Sequence, residues 1–349
     1  MKKTIELGMS IYFSSTFLEI KNLLEEMVEN KMEYIFSSLN IKEIDVEEEK
    51  LYKTIELAKD LGLKLIIDVN EMSLKKYPLD KLKKAGLSHI RIDDGVSLEE
   101  IYDLSEDFTI VLNASTILDE EMDKLKSLGM DFKKLIACHN YYPKEYTGLS
   151  MEYMASINRH LKEYGMYTMA FIPGDDELRG PIYDALPTVE DQRRQKPLQN
   201  ILEMEEYGYA DIVLVGDIGI SEHSKKDIKL YKEEIIPIKA KYIQKEYENI
   251  LRDKTFKDRV DSSKYMIRVQ ALNKPGKIIS QDIKPYNTIN RKVGYICLSN
   301  TDFKRYMGQV EIVKKEMPKD ERVNIIGEIS DTDIPLLKYI KRGRKFKIV

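Results

Sequence analysis

Residues 60–69 read DLGLKLIIDV. A glycine closes an amphipathic segment, and an apolar run begins at once. The same phrase recurs as KAGLSHIRID, SLGMDFKKLIAC, EYGMYTMAF and EYGYADIVLVG. Gly62, Gly86, Gly129, Gly165 and Gly208 stand where a helix stops in the left-handed conformation, which costs glycine least. Asn30 takes the equivalent place in VENKMEYIF.

The segments before these turns have helical period. Phe17, Ile20, Leu24 and Met27 recur at three and four, as do Met151, Met154, Ile157 and Leu161. The runs after them are short and apolar on both faces, as parallel strands covered by helices must be. Strands are expected near 5–11, 33–38, 63–68, 89–93, 109–113, 134–139, 166–172 and 210–216. Eight strands alternating with helices predict an α/β chain whose main domain is a (β/α)8 TIM barrel. A doubly wound open sheet competes, but the first strand–helix junction, GMSIYFSSTF, lacks a G-x-G-x-x-G fingerprint.

In such a barrel, chemistry gathers where strands end and βα loops begin. Those positions hold Ser10 and Tyr12, Ser37 and Ser38, Asp68, Asp93, Asn113, His139 and Asn140, and Asp217. Any single Asp or Asn there also suits a helix N-cap. It is their convergence on one mouth that points to a site. IACHNYYPKEYTGLS (136–150) adds Tyr142 and Thr147, with Lys144, Glu145 and Tyr146 as the exposed crest of that loop. His139, the lone strand-end histidine, reads as a brace to a neighbouring element. The long stretch FIPGDDELRGPIYDALPTVEDQRRQKP predicts an ordered lid carrying Arg179, Glu190, Arg193 and Arg194.

The 349 residues carry a net charge of −4, unevenly spread, with 19 Lys/Arg against 10 Asp/Glu after residue 260. A basic segment without interleaved aromatics suits an anionic small molecule better than nucleic acid. Cys138 and Cys297 imply no disulfide framework. No signal peptide or spanning segment is evident, so a cytoplasmic location without a membrane partner is expected. After a helix expected over roughly 224–250, the pattern turns to short strands. The organisation expected is a barrel over 1–250 and a small β-rich domain over 260–349, with Arg291, Asn300, Arg305 and Tyr306 near strand ends.

Elimination narrows the chemistry. Lys64 and Lys134 start strands, away from the catalytic end, which disfavours a Schiff-base aldolase. Four histidines without His-x-His or His-Glu-x-x-His spacing give no metal set, and no cofactor is implied. What remains is carboxylate with amide, phenol and hydroxyl, an inventory suited to glycosidic cleavage. Asp93 and Asp217 are the leading carboxylates, and Asp68 and Glu190 are further candidates.

The chain resembles the 6-phospho-N-acetylmuramidase family. The resemblance rests on GMSIYF, IRIDDG, LNAS, HNYYPKEYTGLS, AFIPGDDELRGPIYDALPTVEDQR, GDIGIS, PYNTINRKVGYICLSN, RYMGQVEI and DERVNIIGEI. It implies a barrel with a cyclophilin-like β-domain acting on 6-phospho-N-acetylmuramic acid β-1,4-linked to N-acetylglucosamine, in peptidoglycan recycling. Asp93, Asn113, Asn140, Tyr142, Thr147, Arg179, Glu190, Asp217, Arg291, Asn300 and Tyr306 match its motifs. Asp94, Gln192 and Gln309 depart from them, standing where an aromatic, a histidine and a glutamate are expected. Asp93, Asp217 and Glu190 are the expected catalytic carboxylates. Ser10, Asp68, Asn113, Asn140, Tyr142, Thr147, Arg179, Arg193, Arg291, Asn300, Arg305 and Tyr306 are the expected substrate contacts. A lyase cleaving the lactyl ether and a non-catalytic sugar-phosphate binder are the rival readings, and monomer and homo-oligomer both stay open.

Overall fold

A computed structural model describes residues 4–40, 46–93, 95–273 and 276–349. The chain divides into two compact units, Met1–Lys225 and Lys226–Val349.

The first unit is a closed barrel of eight parallel strands. They are β1 (Glu6–Ser10), β2 (Tyr34–Ser38), β3 (Lys64–Val69), β4 (His89–Ile92), β5 (Thr109–Asn113), β6 (Ile136–Cys138), β7 (Tyr167–Ile172) and β8 (Ile212–Val215). β1 pairs with both β2 and β8, which closes the ring. Each strand lies within two residues of its expected bounds. The helices are α1 (Phe17–Glu29), α2 (Glu48–Asp60), α3 (Glu71–Lys76), α4 (Leu79–Ala85), α5 (Leu98–Leu104), α6 (Asp119–Ser127), α7 (Met151–Glu163), α8 (Pro197–Glu203) and α9 (Glu222–Lys232). Capping boxes at Thr16 and Ser97 satisfy the first orphan N–H groups of α1 and α5.

Alternation along the strands sorts the side chains. Tyr34, Phe36, Ile66, Val111, Ile136, Cys138, Met169, Phe171, Ile212 and Leu214 form one buried cluster inside the barrel. Their neighbours Ile35, Ile67, Leu112, Ala137, Ala170 and Val213 are buried on the other face. Both faces being dry explains the continuous apolar runs.

Four of the expected helix-stopping residues, Gly62, Gly86, Gly129 and Gly165, have positive φ. At the other two turns the left-handed residue is the next one along, Lys31 and Tyr209. Gly208 ends a π-helical turn, Met204–Gly208, where a Cβ would stand 3.0 Å from Met154 Cε and 3.1 Å from Met204 Sδ. Close packing of methionine side chains, not φ, is what a larger residue there would disturb.

The second unit begins at Lys226, earlier than the expected 260. The single helix expected over 224–250 is α9 followed by β9 (Ile235–Ile238), β10 (Ala240–Ile243) and a short α10 (Lys245–Leu251). Pro237 and three isoleucines make that stretch a strand, and β9 lies at the sheet edge where proline is tolerated. β11 (Thr255–Asp258), β12 (Met266–Ala271), β13 (Tyr295–Ser299), β14 (Val310–Val313), β15 (Val323–Ile329) and β16 (Lys345–Ile348) complete an eight-stranded sheet. Its order is β10-β15-β13-β14-β12-β11-β16-β9, antiparallel except for the β16–β9 pair. Among the described residues no helix is long and apolar enough to cross a membrane.

Candidate functional site

The inward parity of the barrel, carried to the C-terminal ends of its strands, brings polar groups together around Arg91. Register places Arg91 of β4 beside Asp68 of β3. Arg91 Nη1 donates to Asp68 Oδ1 at 2.6 Å and lies 3.9 Å from Asp93 Oδ1. Arg91 Nη2 donates to Asn140 Oδ1 at 2.6 Å. Asp68 Oδ2 accepts from the Ser38 hydroxyl at 3.0 Å and the Asn40 amide at 3.2 Å. The Arg91 and Asp68 side chains are 5% and 9% exposed, against 34% for Asp93. Burial opposes the charge on Arg91, but the Asp68 carboxylate, with Asp93 beyond it, more than restores it. Buried ions persist only when paired and hydrogen-bonded in this way. Arg91 Nε is buried and has no acceptor.

The adjoining wall comes from β5 and β6. Asn113 Oδ1 accepts the Ser115 N–H at 3.0 Å, and Ser115 Oγ accepts the Asn140 N–H at 3.1 Å. His139 has the opposite parity and is fully buried. Its Nε2 lies 2.8 Å from Asn158 Oδ1 on α7, and the Asn158 amide donates to Gly208 O. Burial drives the imidazole pKa down to about 4. A neutral ring tied to the outer helix layer is a brace.

The lid spans 173–196 and is ordered by its own polar anchors. Asp217, just beyond β8, is fully buried. It accepts three backbone N–H groups, from Gly174 (2.9 Å), Arg179 (3.0 Å) and Leu186 (3.1 Å). Burial pushes its carboxyl pKa up, against the pull of those donors and of the Arg179 charge. Gly174 permits this approach, since a Cβ there would run into Gly219 O and stand 3.0 Å from Asp217 Cβ.

A second anchor joins the lid to the loop after β6. Glu190 accepts the N–H groups of Tyr146 (2.9 Å) and Gly148 (2.8 Å) and a two-pronged contact from Arg193. The Arg193 hydrogen bonds, chiefly, hold Glu190 down at about 2. Arg193 also donates to the carbonyls of Asp184, Ala185, Tyr142 and Lys144, so all five of its N–H donors are engaged by the protein.

Arg179 extends from the lid between two phenols. Its guanidinium carbon stands 4.6 Å from the Tyr12 ring centroid and 5.8 Å from that of Tyr141. Its Nη1 donates to Tyr141 Oη at 3.0 Å. Tyr141 packs edge-on against Phe171, and Tyr12 donates its hydroxyl to Gly216 O. Burial raises the pKa of both phenols.

Of the residues expected from sequence, Asp68, Asp93 and Asn140 converge on Arg91, and Asn113 joins them through Ser115. Arg179 reaches the aromatic pair Tyr12 and Tyr141. Ser10 is fully buried at the end of β1. Tyr142 is half-buried, with its backbone bonded to Pro187 and Arg193. Thr147 is exposed and its hydroxyl turns back to Lys144 O. Asp217, Glu190 and Arg193 have their polar atoms engaged in holding the lid. Gln192 is fully buried against Asn200 and Glu203. Asp94 lies outside the described residues.

In the second unit, Asn300 is fully buried, with its amide given to Glu321 O and Asn324 Oδ1. Arg291 Nε donates to Pro318 O at 3.0 Å. Arg305 lies over the Tyr306 ring at 4.8 Å and donates to its hydroxyl.

Sequence reading placed Ser38 among the strand ends but missed Arg91, Asn40 and Tyr141 as site residues. Arg91 carried a signal: an arginine within the apolar run HIRI, at a position of inward parity.

Among the described residues no group of three or more His, Cys, Asp or Glu side chains is gathered to hold a metal ion. No curated protein matches the chain. A crystal structure of a conserved Enterococcus faecalis protein of unknown function is 31% identical, with a TM-score of 0.88 over 99% of this chain and 96% of that one. An uncharacterized B. cereus protein is 25% identical, with a TM-score of 0.80 over 99% of both chains. A family model described as 6-phospho-N-acetylmuramidase, N-terminal, matches residues 7–230, and its C-terminal counterpart matches 235–349. Matched along both units, the chain belongs to the 6-phospho-N-acetylmuramidase family.

Proposed function

We propose that the protein hydrolyses the β-1,4 bond between 6-phospho-N-acetylmuramic acid and N-acetylglucosamine, with Asp93 and Asp68 as its working carboxylates. The carrying observation is that both approach one nitrogen, Arg91 Nη1, at 3.9 and 2.6 Å. Their Oδ1 atoms are therefore at most about 6.5 Å apart, which suits the short spacing of retaining cleavage, roughly 5 Å, and leaves little room for an intervening water.

Asp93, the more exposed, handles the proton. It protonates the glycosidic oxygen as the bond to C1 breaks, then takes a proton from the water that attacks C1. Asp68 is fixed by Ser38, Asn40 and Arg91, and its Oδ1, which accepts only from Arg91, keeps a lone pair. It orients the 2-acetamido group, whose oxygen closes on C1, or it attacks C1 itself. The products are N-acetylglucosamine, with the proton on O4, and the phosphorylated muramic sugar, with the water oxygen on C1.

The substrate's phosphate and lactyl carboxylate both need cations or donors. Arg179 supports that need in the barrel, since Tyr141 engages only one of its nitrogens and leaves a planar fork for an oxyanion.

Product analysis tests this. Incubation with the phosphorylated disaccharide should release free N-acetylglucosamine and the 6-phosphomuramic sugar in equal amounts. Release of D-lactate would instead make the enzyme a lyase. Saturable binding without turnover would make the protein a sugar-phosphate binder.

A further inference from the structure

The second unit contains a cavity of about 320 Å3 lined by Arg259, Arg268, Gln270, Gln309 and Glu311. Arg268 on β12 stands directly opposite Glu311 on β14. An ion pair across the strands is the expected outcome. Arg268 turns instead to Asp261, giving one nitrogen to its backbone carbonyl and to a carboxylate oxygen at 3.2 Å. Arg259 is paired with the same carboxylate.

Glu311, Gln270, Gln309 and Arg268 all line the cavity, and among the described residues one of their buried polar atoms has no hydrogen-bond partner. That atom is the Nε of Arg268. Enclosure, opposed by Arg291 and Arg268, pushes the Glu311 carboxyl pKa up. A buried donor without an acceptor is costly in a resting protein, and a ligand that satisfies it removes that cost.

The chemistry of the lining selects the ligand. Glu311 needs a donor, Arg268 Nε needs an acceptor, and each primary amide offers one donor pair and one acceptor. Adjacent hydroxyl groups supply both roles from neighbouring atoms. A phosphate would face the Glu311 carboxylate, and among the described residues no aromatic ring lines the cavity to stack a base. The volume lies at the lower end of small-molecule pockets, which begin at roughly 300 Å3.

We propose that this cavity is a separate binding site for a neutral polyol of monosaccharide size, held by Glu311, Gln270, Gln309 and Arg268. It rests on the second unit alone and stands whether or not the barrel cleaves a glycoside.

The test is titration of the full-length protein with N-acetylglucosamine or glucose up to about 10 mM, well into saturation for a millimolar dissociation constant. The readout is the NMR signals of the Gln270 and Gln309 side-chain amides. The expected result is a saturable shift of both, weakened tenfold or more by Glu311→Ala and by Gln270→Ala and unchanged by Asp93→Asn. Glu311→Ala removes a carboxyl whose charge enclosure disfavours, so it should fold, and Gln270→Ala is an independent second variant. Amide signals that stay fixed through the titration, or an affinity indifferent to both substitutions, would overturn the site.

Discussion

Arg91 Nη1 and Asp68 Oδ1 meet at 2.6 Å inside the barrel, with both side chains nearly removed from water. Asp93 and Asn140 then arrange themselves on the same guanidinium. This ion pair organises the mouth, because four strand ends take their relative positions from it.

Removing one partner of a buried pair leaves the other uncompensated, at a cost of about 3–5 kcal/mol. Arg91→Ala should therefore lower stability by that order in denaturant unfolding and abolish turnover. Arg91→Ala combined with Asp68→Ala should recover part of the stability and none of the activity.

In the proposed reading Arg179 offers its fork to an anion, while its backbone is held by Asp217. Charge-assisted hydrogen bonds are worth about 1.5–3 kcal/mol. Arg179→Ala should raise KM for the phosphorylated disaccharide by roughly 10- to 100-fold, with a smaller change in kcat. An unphosphorylated analogue should show little of this loss if the phosphate is the group bound. Steady-state kinetics on both substrates check it.

Asp217 distinguishes a lid anchor from a catalyst. Asp217→Asn keeps the shape but places an amide where an acceptor of backbone N–H groups stood. The lid should loosen, seen as faster proteolysis within 174–186, and KM should rise more than kcat falls. A fall in kcat with unchanged KM and an intact lid would return Asp217 to the chemistry.

Glu190 sets a pH window. Its folded pKa is lowered from 4.5 to about 2, chiefly by Arg193. A depressed carboxylate stabilises the fold above its unfolded value, and that contribution is lost as pH falls through the folded value. Lid protection should therefore decline between about pH 4.5 and 2 in the native protein. Glu190→Gln should show weak protection at neutral pH and little further loss on acidification, measured by hydrogen exchange at Tyr146 and Gly148.

The barrel was legible because glycine-terminated helices and doubly buried strands leave periodic signatures, as at Gly62 and LKLIIDV. The mouth was legible in part: Asp68, Asp93 and Asn140 advertise themselves as polar residues ending apolar runs. Asp217 ends a run in the same way, yet its partners are backbone N–H groups of the lid, which carry no side-chain signature. Arg193 is similar, since its bonds to Asp184, Ala185, Tyr142 and Lys144 all go to carbonyls. Arg91 was overlooked because attention to strand ends passes over a charged residue inside a strand, where only parity betrays its inward position. The stretch around Pro237 looked helical because charged residues flank it. Its strand character comes from β-branched residues pairing with β16, 110 residues away in the chain.

The most direct test of the account is single-turnover cleavage of the phosphorylated disaccharide by Asp93→Asn and Asp68→Asn, beside Asp217→Asn and Glu190→Gln. Loss of a positioned acid–base group costs roughly 10²–10⁴ in rate. The account predicts losses of that size for Asp93 and Asp68, and much smaller ones for Asp217 and Glu190 at saturating substrate. Near-native rates for both Asp93→Asn and Asp68→Asn would contradict it.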